Sequence, residues 1–215
     1  VTYCPAALKI FDEIIVNARD AGIRDKGVTW IRIDIDRPTG AITVTNNSTY
    51  GIPIERMNSG DYVPESIFGK LLSGQNFNDY EGRITGGRNG YGGKLTNIYS
   101  TEFSIDCTDT QRHLRFQQTF SNNMSDKTKP LVTKYSKSEA YVKIRFVPDF
   151  QKLGGCNNID DDLYRLLIKR TYDIAACTPE HVKILLNGKQ LKIRNFERYV
   201  NLFLNRSDVN GNNDS

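Results

Sequence analysis

The sequence lacks several features that would place a 215-residue chain in a functional class at once. No apolar run reaches the roughly 18 residues of a membrane-spanning helix, so we expect no membrane partner. The four cysteines form no C-x-x-C pair, which argues against a zinc or redox motif and leaves reduced, buried thiols as our expectation. The chain starts at Val1 without a Met or a basic stretch, and we therefore expect a fragment without a secretory signal.

The net charge is small, and histidine is scarce. The 29 Lys and Arg residues exceed the 25 Asp and Glu residues by four, which is too small an excess to argue for nucleic-acid binding. His113 and His181 stand alone on strand-like runs, where packing or exposure is a commoner role than catalysis. The remaining composition, 38% hydrophobic and 25% charged, is typical of a globular domain with a substantial core.

Hydrophobic periodicity predicts a mixture of helices and strands. Helices are predicted over residues 5–21, 61–72, 94–100, 160–176 and 197–204. Strands are predicted over residues 30–36, 41–46, 103–108, 113–120 and 141–146, and in a hairpin of residues 181–186 and 190–193. The polar segments 73–87 and 122–139 are predicted loops, and 205–215 a linker-like tail. This mixture predicts an α+β fold in which one sheet packs against one layer of helices.

A glycine-rich segment, residues 86–94, reads GGRNGYGGK and precedes a helix-like run. It fails the Walker A pattern twice, because Arg88 stands where the first glycine belongs and Leu95 replaces the Ser or Thr that holds Mg²⁺. It fails the Rossmann pattern as well, since the third glycine is missing. Glycines ahead of a helix still suit an anion, and Lys94 adds a positive charge. A tight turn explains the segment equally well.

The first predicted helix carries a polar stripe opposite its apolar face. Glu13, Asn17 and Asp20 fall within about 60° of one another on a helical wheel. A carboxylate can orient a water for attack on a phosphoryl group, and an amide oxygen one turn along can join a Mg²⁺ shell. A solvated helix face is the other explanation, and the stripe alone favours it.

Taken together and in order, these segments resemble a known family. The run EIIVNARD, residues 13–20, is similar to the E-x-x-x-N-x-x-D box of GHKL ATPases. Asn46-Asn47 followed by Gly51 resembles their D-x-G-x-G box, and the glycine-rich segment resembles their nucleotide lid. The longer runs KIFDEIIVNARD, YVPESIFGKLLSG, TGGRNGYGGKLTNIYSTEF and KRTYDIAACT resemble the ATPase domain of eukaryotic and viral type IIA DNA topoisomerases over residues 1–204.

The resemblance implies the Bergerat fold, a two-layer α/β sandwich with a mixed sheet and helices on one face. It implies ATP and Mg²⁺ as cofactors. Glu13 would be the general base, Asn17 would bind Mg²⁺ and the nucleotide, and Asn46 would contact the adenine amino group. The other nucleotide-binding residues that it implies are Gly51, Gly74, Gln75, Asn76, Gly87, Arg88, Asn89, Gly90, Tyr91, Gly92, Gly93 and Lys94.

The chain departs from the family pattern at several positions. Ala21 stands where Asn is frequent, and Gly74 and Gln75 stand where serines are frequent. Val142 occupies a strand position that commonly carries Thr near the base. Ala21 and Val142 each remove hydrogen-bonding capacity, so we expect a modest affinity for the base.

The resemblance also implies partners. In the full-length enzyme two such modules would dimerise on binding ATP and clamp double-stranded DNA, in the nucleus or in a viral replication compartment. The fragment is expected to be a monomer. It is expected to bind Mg-ATP but to hydrolyse it slowly, because a lysine of the following transducer domain would complete the site. Another GHKL ATPase, of the mismatch-repair or chaperone type, and a non-catalytic nucleotide-binding scaffold are the alternatives.

Overall fold

The computed structural model of the chain describes residues 3–70, 91–154, 158–193 and 195–204. These ranges contain five helices and nine strands. The helices are α1 (Pro5–Arg24), α2 (Val63–Gly69), α3 (Gly92–Ile98), α4 (Asp161–Ala176) and α5 (Phe196–Leu204). The strands are β1 (Trp30–Asp36), β2 (Ala41–Ser48), β3 (Ser100–Asp109), β4 (Leu114–Ser121), β5 (Asp126–Lys127), β6 (Leu131–Lys134), β7 (Ala140–Pro148), β8 (Lys183–Leu186) and β9 (Lys189–Gln190).

The strands form one mixed sheet in the order β5-β4-β3-β7-β2-β1-β8-β9, with β6 also paired to β4. The pairing of β1 with β8 is parallel, and the other described pairings are antiparallel. Because side chains alternate along a strand, one face of the sheet is apolar and carries Ile33, Val44 and Ile144 in register. This face packs against α1, α3 and α4, which confirms the predicted sandwich of one sheet and one helical layer.

Most predicted elements are confirmed, with shifted ends. Helix α1 continues three residues beyond the predicted end to Arg24, and α3 begins two residues early at Gly92 and gives way to β3 at Ser100. The hairpin strands at Asn187-Gly188 are shorter than predicted. Residues 71–72 of the second predicted helix, the loop 73–87 and the tail 205–215 lie outside the described residues.

The prediction of a loop over residues 122–139 is wrong. This segment contains β5 and β6, which both pair with β4. Val132 lies opposite Phe116, and the pairing adds a short strand to the edge of the sheet. Local composition did not reveal these strands, because they are only two and four residues long and their side chains are largely exposed, so they lack the apolar alternation of a half-buried strand.

The state of the cysteines and the character of the helices bear on two expectations from composition. The three described cysteines are free, and Cys4 and Cys107 are buried as expected, whereas Cys177 is exposed. Among the described helices, none has the length and apolar character needed to cross a membrane.

Asp109, at the end of β3, fixes the loop that follows β2. Its carboxylate is buried and accepts hydrogen bonds from the amides of Ile54 at 2.9 Å and Arg112 at 3.0 Å, and from Arg112 Nη1 at 3.1 Å. Burial alone would raise the pKa of Asp109, but these hydrogen bonds lower it below its ordinary value of 3.8. Gly51 forms a bridge to Asp109 with φ of +89°, and a side chain there would overlap with the carbonyl oxygen of Thr108.

We predict that Asp109→Asn lowers the free energy of unfolding by about 2 kcal/mol at neutral pH, because it removes a buried, charge-assisted acceptor. The folded-state pKa is depressed, so this stabilisation is present above the unfolded pKa and is lost as the pH falls through the folded value. Urea denaturation at a series of pH values measures both effects. Asp34→Asn is the control, because Asp34 lies on the open face of the sheet, the face opposite the helices. Its free energy of unfolding is expected to change by no more than about 0.5 kcal/mol. An equal loss in the two variants would contradict the assignment.

Candidate functional site

The first residues of α3 lie against the polar stripe of α1. Glu13 and Asn17 are one turn apart and half-buried. A methyl group on Gly92 would overlap with Glu13 Oε2, and one on Gly93 would lie 3.9 Å from Asn17 Nδ2. Gly92 is therefore what allows the backbone of α3 to approach Glu13, while Gly93 leaves room for the Phe68 ring and lies near Asn17. Two segments some 75 residues apart in the sequence thus meet, as their resemblance to ATPase boxes implied.

Two buried polar residues of α3 hold this contact in place. Thr96 Oγ1 donates a hydrogen bond to the carbonyl oxygen of Ile10 on α1 at 3.0 Å. Asn97 Nδ2 donates to the carbonyl oxygen of Phe68 on α2 at 3.1 Å, and the Phe68 ring packs over Gly93. Sequence reasoning missed Thr96 and Asn97. The available signal was a pair of polar residues between Leu95 and Ile98 in the predicted helix.

Lys94 is buried two residues after the start of α3. Its residue is 1% exposed, and burial lowers the pKa of its ammonium group. Tyr91, the residue before the helix, is half-buried and its carbonyl oxygen accepts from the Leu95 amide at 2.8 Å. A buried ammonium beside a glycine-rich helix start provides positive charge in a region of low dielectric, where an anion would be attracted strongly.

The two asparagines of β2 have different roles. Asn47 Oδ1 accepts from the amides of Thr29 and Trp30 at 2.9 and 3.0 Å, which fixes the chain entering β1. Asn46 is buried and lies on the helical side of the sheet, in register with Ile31 and Val142. Its Nδ2 donates to the carbonyl oxygen of Asn47 at 3.0 Å, so the Oδ1 atom is oriented away from that bond as an acceptor.

A carboxylate at the end of α1 links the helix to β2. Asp25 Oδ2 accepts from the Thr49 amide at 2.7 Å, and Asp25 Oδ1 accepts from Thr49 Oγ1 at 2.5 Å and from the Gly27 amide at 2.8 Å. Burial would raise the pKa of Asp25, but the hydrogen bonds from Thr49 and Gly27 lower it. This link sets the position of Glu13 and Asn17 relative to the strand that carries Asn46.

The explanation of the polar stripe as a solvated face does not hold for Asp20, which is 1% exposed and whose Oδ1 atom lies 3.0 Å from Arg19 Nη1.

No cluster of three or more His, Cys, Asp or Glu side chains suited to a metal ion occurs among the described residues. Seven predicted binding residues lie outside the described residues: Gly74, Gln75, Asn76, Gly87, Arg88, Asn89 and Gly90. Their roles stay predictions.

Comparison with known proteins gives a consistent result, although no family model matches the chain. DNA topoisomerase 2 of Arabidopsis thaliana is 45% identical over 209 residues, 97% of this chain. The crystal structure of the ATPase region of Saccharomyces cerevisiae topoisomerase II superposes over 97% of the chain with a TM-score of 0.92 and 42% identity. The chain belongs to the ATPase domains of type IIA DNA topoisomerases. The ATPase and transducer domains of Balamuthia mandrillaris topoisomerase II match at 44% identity over 94% of the chain with a TM-score of 0.89.

These topoisomerases are longer than the chain. The chain spans 14% of the Arabidopsis protein, 55% of the yeast ATPase-region chain and 52% of the Balamuthia chain. The match over nearly the whole chain confirms the Bergerat-type sandwich that the resemblance implied, and it does not favour the mismatch-repair or chaperone alternatives.

We predict that Gly92→Ala displaces Glu13, because the added methyl group would overlap with Oε2. Overpacking of this kind costs about 1–3 kcal/mol, which corresponds to a fall in Tm of several degrees. Differential scanning calorimetry measures the fall, and NMR of the Glu13 amide and side chain reports the displacement.

Gly22→Ala, within α1, is the matched control. The nearest heavy atom to its added carbon would be Val182 Cγ2 at 3.4 Å, an ordinary contact distance, and alanine favours a helix over glycine. We expect an unchanged or slightly raised Tm. A Gly92→Ala variant as stable as this control would contradict the tight approach of α3 to α1.

Proposed function

We propose that the chain binds ATP and hydrolyses its terminal phosphate, as the ATPase module of a type II DNA topoisomerase. One observation carries this proposal: Glu13 and Asn17 converge on the glycine pair that starts α3, beside buried Lys94. The site thus combines a base, an amide ligand, the backbone amides of two glycines and a cation. These are groups that can assist phosphoryl transfer to water. The relatives support it, because the similar yeast structure is that of the ATPase region of topoisomerase II.

The residues of this site fit a Mg²⁺–phosphate group. Mg²⁺ prefers oxygen ligands and is commonly held by one or two protein groups together with substrate phosphates and water. Asn17 supplies an amide oxygen one turn from the Glu13 carboxylate, and Glu13 Oε2 lies directly against the start of α3 at Gly92. We propose Asn17 as the protein ligand. When bound, Mg²⁺ would neutralise charge on the phosphates.

The chain's own residues account for the rest of the chemistry. Glu13 would accept a hydrogen bond from the attacking water, orient it and take up its proton. Lys94 and the amides of Gly92 and Gly93 would hold the phosphate oxygens. Asn46 Oδ1 would accept from the adenine amino group, since its Nδ2 already donates to Asn47. We extend the nucleotide-binding proposal to Gly51, Gly74, Gln75, Asn76, Gly87, Arg88, Asn89, Gly90 and Tyr91.

We further propose the role of this module in a full-length enzyme. ATP binding would favour a homodimer of two modules, and the dimer would close around double-stranded DNA, in the nucleus or in a viral replication compartment. The support is the identity to proteins named DNA topoisomerase 2, including 45% with that of Arabidopsis.

Glu13→Gln is predicted to reduce hydrolysis at least about 100-fold while nucleotide affinity stays within about twofold, because glutamine keeps the shape of the side chain but cannot accept the proton. Single-turnover hydrolysis of ATP measures the first quantity, and calorimetry with a non-hydrolysable ATP analogue measures the second. Glu180→Gln, an exposed glutamate beyond α4, is the control. Unchanged hydrolysis in Glu13→Gln would exclude it as the base, and a parent chain that binds no nucleotide would exclude the proposed function.

Removal of Mg²⁺ with EDTA is predicted to weaken binding of the ATP analogue about tenfold, because phosphate charge is then left uncompensated. Asn17→Ala should weaken binding in Mg²⁺ by a similar factor and should show little further loss in EDTA. Calorimetric titrations of both proteins, with and without Mg²⁺, measure the four affinities. Independent, additive losses from EDTA and from Asn17→Ala would show that Asn17 does not hold the metal.

A further inference from the structure

Three charged side chains connect Glu13 to helix α4. Lys9 Nζ lies 2.5 Å from Glu13 Oε1 and 3.7 Å from Asp12 Oδ2. Arg170 Nε, on α4, donates to Asp12 Oδ1 at 2.6 Å. Lys9 therefore has two carboxylates within reach on its own helix, and it sits close to one of them while an arginine from another helix occupies the other.

The two oxygens of Glu13 face different groups. Oε1 accepts from Lys9, and Oε2 lies against Gly92 at the start of α3. An ion pair on one oxygen restricts the rotation of the carboxylate and keeps the other oxygen directed at α3. Because the Lys9 side chain is 66% exposed, the pair adds little to the stability of the fold. Its effect is on the orientation of Glu13.

Competition between the two carboxylates decides where Lys9 lies. Asp12 and Glu13 are at i+3 and i+4 from Lys9, and both positions are within reach along a helix. The guanidinium of Arg170 compensates the charge of Asp12 and weakens the attraction of Asp12 for Lys9. Consistent with this arrangement, the hydrogen bond to Glu13 is the main cause of the raised pKa of Lys9.

We propose that Lys9 is a positioning residue for Glu13, and that Arg170 directs Lys9 to Glu13 by occupying Asp12. The proposal rests on the proposed function of Glu13 as the base. Other charged groups near the site are Lys94 on α3, which is buried, and Asp20 farther along α1, which lies beside Arg19. Helix α4 lies outside the phosphate site, and through Arg170 it influences the orientation of the base.

The first test compares Lys9→Gln with Lys9→Arg. We expect Lys9→Gln to slow single-turnover ATP hydrolysis about tenfold, less than the loss of the base itself, while affinity for a non-hydrolysable ATP analogue stays within about twofold. Lys9→Arg, which retains the charge, should restore the rate to within about threefold of the parent. Lys137→Gln, an exposed lysine between β6 and β7, is the matched control. Equal rates in Lys9→Gln and the control would overturn the proposal.

The second test concerns Arg170. Arg170→Gln leaves Asp12 free to attract Lys9, so we expect hydrolysis to fall by a factor similar to that of Lys9→Gln. Adding Asp12→Asn removes the competing carboxylate and should restore most of the rate, while Asp12→Asn alone should keep it. If Arg170 merely joined α4 to α1, the double variant would be as slow as Arg170→Gln, and that result would overturn the role of Arg170.

A third measurement does not depend on hydrolysis. The NMR amide resonance of Gly92 in the nucleotide-free chain should move in Lys9→Gln and Arg170→Gln, and should return towards the parent position in Lys9→Arg and in the Asp12→Asn/Arg170→Gln double variant. An unmoved Gly92 resonance in Lys9→Gln would overturn the positioning role. If Gly92 responds as expected but the parent chain binds no ATP analogue, the positioning stands and the proposed function fails.

Discussion

The close approach of α3 to α1 is the contact on which the site depends. It requires glycine at position 92, because Glu13 Oε2 occupies the space of a side chain there. The Thr96 hydroxyl, bonded to the Ile10 carbonyl oxygen, fixes the two helices at this separation. A carboxylate, an amide and a buried ammonium are thereby held beside one helix start by packing rather than by a continuous sequence motif.

The rest of the fold sets where this contact lies relative to the sheet. Asp25 joins the end of α1 to Thr49, and Asp109 joins the end of β3 to the loop after β2. Both carboxylates have lowered pKa values for the same reason, since hydrogen bonds from amides and side chains outweigh burial. The strand that carries Asn46 is thus tied at one end to the helix that carries Glu13, which brings the proposed base-binding and phosphate-binding residues onto one scaffold.

The sequence predicted much of this arrangement, for reasons that can be traced to particular residues. The apolar spacing of α1 predicted its buried face. The local sequences around Glu13 and in the glycine-rich segment predicted the family. It did not predict the strands β5 and β6, because these short edge strands pair with β4 through their backbones and their polar side chains are mostly exposed. Nor did it predict that Asp20 is buried, or that Thr96 and Asn97 hold α3, because a helical wheel shows which residues share a face and not which helix covers it.

The central claim is that Glu13, Asn17 and the start of α3 form one nucleotide-phosphate site. Amide and side-chain NMR of the chain, titrated with a non-hydrolysable ATP analogue and Mg²⁺, tests it most directly. The account predicts that the amides of Gly92, Gly93 and Lys94 and the side-chain amide of Asn17 shift together with a single affinity. Binding that shifts resonances on the open face of the sheet and leaves these four unmoved would contradict it.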